Sequence, residues 1–230
     1  DAYKYYENKV SKNEKIEIFE EYLKLKKKGK FNRDKLGYNN NYTLNFKKKI
    51  NKKNLVTFFT TSGFEFAGFS DWKSPIYLDQ YDAIKKIILD TNLSKKFNVC
   101  IRYHPHLKDA GKIEKNSINE IMNIKRENLI QVSYDDEIDS YDILENSLKI
   151  ITFGSTISYE AYPKKIPIIC LAPSYDDQAG FTYKPKSHEE VISLINTDIK
   201  PKENKKSISH ALCNKKKFHS FGYKNLSNIY

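Results

Sequence analysis

The sequence predicts an α/β domain: a parallel sheet of five or more strands with helices on both faces. Short apolar runs recur at 55–60, 98–103, 129–132, 149–153 and 166–171, with the length and composition of buried strands. Helical patterns separate them, and such alternation implies parallel strands joined by crossover helices. The fourth and fifth runs enclose Gly154-Ser155-Thr156 and a short helical stretch carrying Glu160, so Lys149–Gly180 reads as one strand–turn–helix–strand unit. A hydroxyl pair where a helix begins stands beside backbone N–H groups that the helix cannot satisfy, an arrangement that suits a phosphate.

Composition bounds the alternatives. At 230 residues, 39% hydrophobic and 13% aromatic, the chain can bury an ordinary core and falls outside the disordered class. No apolar run approaches the ~20 residues of a membrane span, and the first residues, Asp1-Ala2-Tyr3-Lys4, are too polar for a signal peptide. Cys100, Cys170 and Cys213 lie far apart, without the spacing of a zinc site or disulfide framework, so a reducing cytoplasm is the expected compartment and no metal is expected. The net charge of +11 is uneven. Residues 1–53 hold 16 Lys/Arg against 7 Asp/Glu, residues 200–230 hold 8 against 1, and residues 54–199 hold 16 against 21. A mildly acidic centre argues against a nucleic-acid partner. The basic flanks read as solvated surface, with an anionic membrane face as their candidate contact. Three parts are expected: a helical, basic lead-in (1–53) continuing from an upstream domain, the α/β domain (54–199), and a basic C-terminal helix or tail (200–230).

Taken in order, 12–29 has helical spacing, with Ile16 and Phe19 on one face and Gly29 as its stop, and 30–53 is a polar connection. The run Leu55–Thr60 breaks at Thr61-Ser62-Gly63. An aromatic loop follows, Phe64-Glu65-Phe66 to Asp71-Trp72, with Ser62 and Glu65 as candidate ligand contacts. A helix is expected over 79–96. The next strand ends in Arg102-Tyr103-His104-Pro105-His106, and Pro105 keeps His104 extended. His104 then projects from a strand's carboxyl end, the edge where open α/β sheets bind ligands, with Arg102 and His106 beside it. A helix over 113–126 and the strand at 129–132 come next. Asp135 and Asp136 read as loop and cap acids, and Ser140-Tyr141 open a helix to Asn146 as further candidate contacts. After the fifth strand, Ser187 followed by Glu190 is a capping-box pattern opening a helix to Asn196, and a last helix is expected over 207–218.

Several of these motifs, in this order, resemble bacterial capsular and surface polysaccharide biosynthesis proteins, specifically the C-terminal half of a GT-B glycosyltransferase fold. The carrying residues are Phe58-Phe59-Thr60-Thr61-Ser62 with Glu65-Phe66, Asp71-Trp72, Gln80-Tyr81-Asp82-Ala83-Ile84, Arg102-Tyr103-His104-Pro105, Asp139-Ser140-Tyr141-Asp142-Ile143-Leu144, and Thr152-Phe153-Gly154-Ser155-Thr156 with Glu160-Ala161. The resemblance implies one Rossmann-like, donor-binding half of a two-domain enzyme. It implies His104 as catalytic residue and phosphate ligand, Arg102, Ser155 and Thr156 at the phosphate, and Glu160 at the nucleotide ribose. It also implies a CMP- or UDP-linked sugar as substrate without a further cofactor, a glycan or lipid-linked acceptor, and a cytoplasmic location peripheral to the inner membrane. The chain departs from the family where an acid-rich loop becomes Ser62-Gly63-Phe64-Glu65-Phe66, and where Ser158 and Lys165-Ile166 replace glycines. Two alternatives stay open: a non-hydrolysing UDP-N-acetylglucosamine 2-epimerase-like enzyme, and a non-catalytic nucleotide-binding or scaffold domain of a polysaccharide assembly complex.

Overall fold

The computed structural model describes residues 8–27, 54–62, 73–174 and 177–203. Five strands, β1 (Leu55–Phe59), β2 (Asn98–Arg102), β3 (Leu129–Val132), β4 (Ser147–Thr152) and β5 (Ile168–Cys170), form one parallel sheet in the order β3-β2-β1-β4-β5. Six α-helices are described: α1 (Lys12–Lys27), α2 (Gln80–Leu89), α3 (Lys112–Met122), α4 (Ser140–Glu145), α5 (Ile157–Ala161) and α6 (His188–Asn196). The expected α/β, Rossmann-like class is therefore the observed one. The connection at 30–53, the aromatic loop with Glu65 and the helix expected at 207–218 lie outside the described residues. No helix among the described residues is long and apolar enough to cross a membrane.

Alternation along each strand divides the core into two. Leu55, Phe59, Cys100, Val132, Ile150 and Ile168 face one side, with Tyr141, Ile143 and Leu144 of α4, Tyr159 and Ala161 of α5, and Val10 near α1. Val56, Phe58, Val99, Ile101, Ile151 and Ile169 face the other, under α2, α3 and α6. Ile84, Ile87 and Ile88 of α2 are buried to 1–2% exposure, and each contributes roughly 1.5–3 kcal/mol of apolar burial.

Several boundaries differ from expectation, and polar side chains decide where. The helix expected over 79–96 spans only Gln80–Leu89. Asp79 caps its start, accepting from the Tyr81 and Asp82 amides at 2.7 and 2.8 Å. At the other end the Asp90 carboxylate accepts the Asn92 amide at 2.6 Å, and the chain turns there to bury Leu93 and Phe97. The helix expected over 113–126 stops at Met122. Arg126 is directed instead at the end of α2 and the turn after it, donating to the carbonyl of Ile88 at 2.6 Å, in the last helical turn, and to those of Asp90 at 3.2 Å and Leu93 at 3.0 Å beyond it. The strand expected over 166–171 contracts to three residues.

β4 begins at Ser147, two residues before the apolar run expected from 149. Leu55 pairs with Ser147 but Val56 with Lys149, so Leu148 is the extra residue of a bulge. The bulge lets Lys149, 2% exposed, reach α6. Its ammonium donates to the carbonyls of Leu194 and Ile195 at 3.1 Å each and to that of Thr197, and it lies 4.7 Å from the Phe97 ring centroid. A cation on the last carbonyls of a helix satisfies orphan acceptors and complements the dipole. Burial pushes the Lys149 ammonium below the ordinary lysine value, with Asp198 pulling it back. At the start of α6, Ser187 accepts the Glu190 amide as expected, while the Glu190 carboxylate returns to the Lys186 amide. His188 joins α6 to two other segments, its Nδ1 2.7 Å from the Tyr77 hydroxyl and its Nε2 2.8 Å from Asp90.

Lys149→Ala is expected to lower unfolding stability by roughly 2–3 kcal/mol, because three helix-end carbonyls lose a charged donor. Lys164→Ala, at the half-exposed Lys164–Glu145 pair, is expected to cost less than about 0.5 kcal/mol; urea titration of both variants measures the contrast. Asp90 supplies a pH-dependent contribution. Burial raises its carboxyl, but the Asn92 amide and His188 outweigh this and hold it below the ordinary value. Its stabilisation is present above the unfolded carboxylate range, near pH 4, and is lost as pH falls through the lower folded value. The difference in urea midpoint between the wild type and Asp90→Asn is therefore expected to shrink below about pH 4.

Candidate functional site

The strand order turns back on itself at β1. The chain moves from β1 to β2 and β3 on one side, then crosses to β4 and β5 on the other. In open parallel sheets the loops leaving the carboxyl ends diverge at such a point and create a crevice. Phe59 is in register with Arg102 on one side and with Thr152 on the other. The segments after β2 and β4 therefore flank the end of β1 across about 10 Å, two strand spacings. Three sequence-predicted groups, Ser62, His104 and Ser155-Thr156, follow these three strands.

After β1, Thr60, Thr61 and Ser62 are 2%, 2% and 5% exposed. The Thr60 amide donates to the Arg102 carbonyl at 3.1 Å, and its hydroxyl accepts the His104 amide at 2.8 Å. Gln80, the first residue of α2, grips Thr61 with both ends of its carboxamide: Oε1 accepts the Thr61 amide and Nε2 donates to the Thr61 carbonyl, each at 2.9 Å. Ser74 donates to the Leu171 carbonyl at 2.5 Å, so the connection from β1 to α2 is also fastened beyond β5.

After β2, Pro105 opens a 3-10 turn, Pro105–Asp109, and His104 is its cap. His104 Nδ1 accepts the His106 amide at 3.2 Å, which places the proton of the neutral ring on Nε2. The His106 ring stands edge-on to it, 4.8 Å between centroids, and is exposed. Arg102 is 4% exposed and turned toward the β3–α4 loop. It donates to the carbonyls of Ser133 at 2.6 Å and Ile138 at 3.2 Å, and to the Ser140 hydroxyl at 3.2 Å. Arg102 and Ser140 thus meet each other, and the guanidinium braces the loop. Tyr141, whose amide Asp139 caps at 2.8 Å, is 3% exposed within the core, so of that pair only Ser140 lies at the edge.

After β4, the chain reverses through Gly154, whose φ of 88° lies in the left-handed region that favours glycine. The Ser155 amide donates to the Thr152 hydroxyl at 2.7 Å, and the Ser155 carbonyl accepts the Ser158 hydroxyl at 2.8 Å. Thr156 caps α5 with its backbone alone: its side chain makes no capping bond and is exposed. Glu160, four residues on and therefore on the same side of the helix, is 2% exposed. Beyond β5, Lys184 fastens the next loop, donating to the Ala172 carbonyl at 2.8 Å and pairing with Asp177. Burial lowers the Lys184 ammonium, but neighbouring Cys170 and Asp177 more than offset this and raise it.

Glu65 lies outside the described residues. Gln80 entered the sequence reading only as part of a motif, without a contact of its own, and Ser74 and Lys184 had no role in it, because nothing in their local pattern announces the backbone they hold. No cluster of three or more His, Cys, Asp or Glu able to hold a metal ion occurs among the described residues.

Among solved structures, the fold is similar to KpsC of Thermosulfurimonas dismutans, a beta Kdo 2,4 transferase, with a TM-score of 0.51 and 15% identity over 91% of this chain and 59% of that one. It is also matched by S. aureus MnaA, solved with UDP (TM-score 0.47, 14% identity, 83% of this chain and 52% of that one). A third match is UDP-GlcNAc 2-epimerase from Methanocaldococcus jannaschii, solved with UDP-GlcNAc and UDP (0.46, 14%, 93% and 56%). The chain spans little more than half the length of each. No protein-family model and no curated protein matches it. At such identity the likeness is one of fold alone: a Rossmann-like α/β architecture around a five-stranded parallel sheet.

Proposed function

We propose that this chain is the donor-binding half of a nucleotide-sugar-dependent glycosyltransferase of bacterial surface polysaccharide synthesis. The observation that supports it is the convergence of His104, Thr60–Ser62 and the Gly154–Thr156 turn on the carboxyl edge where the strand order reverses. In this reading the nucleotide phosphate lies between His104 and the Ser155-Thr156 turn. His104 donates from Nε2, and the Ser155 and Thr156 hydroxyls donate from across the crevice. Glu160 accepts from the ribose hydroxyls, and Arg102 keeps the neighbouring loop in place.

When the bond from the anomeric carbon to the phosphate oxygen breaks, negative charge develops on the leaving phosphate. Donors preorganised at that oxygen lower the barrier by a few kcal/mol, roughly 3 for a single well-placed one. The base that takes the acceptor's proton, and the acceptor site itself, belong to the other half of the enzyme. The basic flanks serve as contacts with an anionic membrane surface where a lipid-linked acceptor resides.

Calorimetry against CMP, UDP and GDP is the direct test. One of the three is expected to bind, and His104→Ala is expected to weaken it by about tenfold or more, the loss of a charge-assisted hydrogen bond. Absence of binding to all three, or equal affinity in His104→Ala, would overturn the assignment.

A further inference from the structure

One side chain connects the first turn of α2 to the backbone of His104. Gln80 is 6% exposed and grips the backbone of a single residue with two bonds, to the amide and carbonyl of Thr61 at 2.9 Å each, and the Thr61 hydroxyl also donates to its Oε1 at 3.5 Å. This is the pairing that a neighbouring strand would supply, at a point where the neighbouring strands have gone. β2 has ended at Arg102, with the chain turning at Pro105, and β4 has ended at Thr152, with the chain reversing at Gly154. One residue back, Thr60 still pairs with the Arg102 carbonyl, and its hydroxyl accepts the His104 amide at 2.8 Å. An unbroken path of short bonds therefore runs from Gln80 through Thr61 and Thr60 to His104.

A buried carboxamide is costly unless both its ends are paired, and ordering a Gln side chain costs further entropy. A leucine of similar volume at the first position of α2 would avoid the first cost, lessen the second and still cover the core. The two matched bonds at Thr61 are what the carboxamide adds.

We propose that Gln80 is a positioning residue for His104: by clamping Thr61 it fixes where Thr60 presents its hydroxyl, and so where His104 stands at the carboxyl edge. The functional consequence rests on the reading of His104 as a phosphate ligand; the coupling between Gln80 and His104 does not, and the two are separable by experiment. Gln80→Leu keeps the volume and removes both bonds. Gln80→Glu keeps the acceptor for the Thr61 amide but sets a carboxylate oxygen against the Thr61 carbonyl, breaking one bond and adding repulsion at a buried position. Lys149→Ala serves as a control that weakens the fold at the opposite end of β4.

Amide hydrogen exchange on the full chain reads the coupling without any ligand. In Gln80→Leu the His104 amide is expected to exchange about tenfold faster relative to Ile101 in the middle of β2, as befits the loss of about one net hydrogen bond. Gln80→Glu is expected to show an increase at least as large, and Lys149→Ala none in that ratio. Calorimetry well below the melting temperature then reads the consequence: about a tenfold loss of affinity in Gln80→Leu for whichever of CMP, UDP or GDP the wild type binds, and none in Lys149→Ala. An unchanged His104-to-Ile101 ratio in folded Gln80→Leu overturns the proposal, as does unchanged affinity alongside faster exchange. If Gln80→Leu does not fold, Gln80→Glu decides by the same ratio. If the wild type binds no nucleotide, the glycosyltransferase reading fails by itself, and the exchange ratio still decides whether Gln80 positions His104.

Discussion

The structure depends on β1 having a parallel partner on each side, β2 and β4, approached from opposite directions along the chain. That reversal leaves the residues just past β1 short of strand partners where the two neighbouring segments part. Backbone groups buried there must be paired some other way. Gln80 and the Thr60 hydroxyl supply the pairing, and Thr60 and Thr61 are 2% exposed as a result. The same reversal that parts the flanking segments therefore requires a polar scaffold beneath them. The scaffold residues lie just after β1 and at the start of α2.

Opposite the crevice, the helices must end where strands begin, and their last carbonyls need donors. Two basic residues serve. Arg126 satisfies the end of α2, and Lys149, carried to the α6 side by the Leu148 bulge, satisfies the end of α6. Each reaches a helix from another element, Arg126 from the approach to β3 and Lys149 from β4, so the caps also fasten helices to the sheet. A cation buried in this way is held by carbonyl dipoles rather than by a carboxylate, which keeps the penalty of desolvating a second charge out of the core.

The candidate site was legible to the extent that its residues carry distinctive local chemistry. A proline after a strand marks His104 through its conformational restriction. A glycine and two hydroxyls between apolar runs mark the β4 turn, and Gly154 does take the left-handed conformation that gives glycine its use there. Arg102 was legible as a residue at the edge, but not as a brace. Its guanidinium points into the β3–α4 loop because Ser133 and Ile138 present carbonyls there, and that loop lies more than 30 residues away in sequence. Tyr141 was read as an edge residue for the same reason. Asp139 caps the helix as it opens at Ser140, and the turn of α4 then carries the ring into the core.

The sequence by itself determined the five strands, their parallel arrangement and the type of helix between them. Hydrophobic runs and their period are local properties that survive any arrangement of the whole. It also determined the starts of α2, α4 and α6, since Asp79, Asp139 and Ser187 cap amides two or three residues away. Only the tertiary structure decided where α2 and α3 stop, because the groups that end them, Asp90 with His188 and Arg126 with α2, find their partners 30 to 100 residues off. It alone decided the strand order, and with it the placing of His104 and Ser155 on either side of β1. Both follow from long-range pairing, in which bonds between backbone groups are alike for every residue and carry no mark in the sequence.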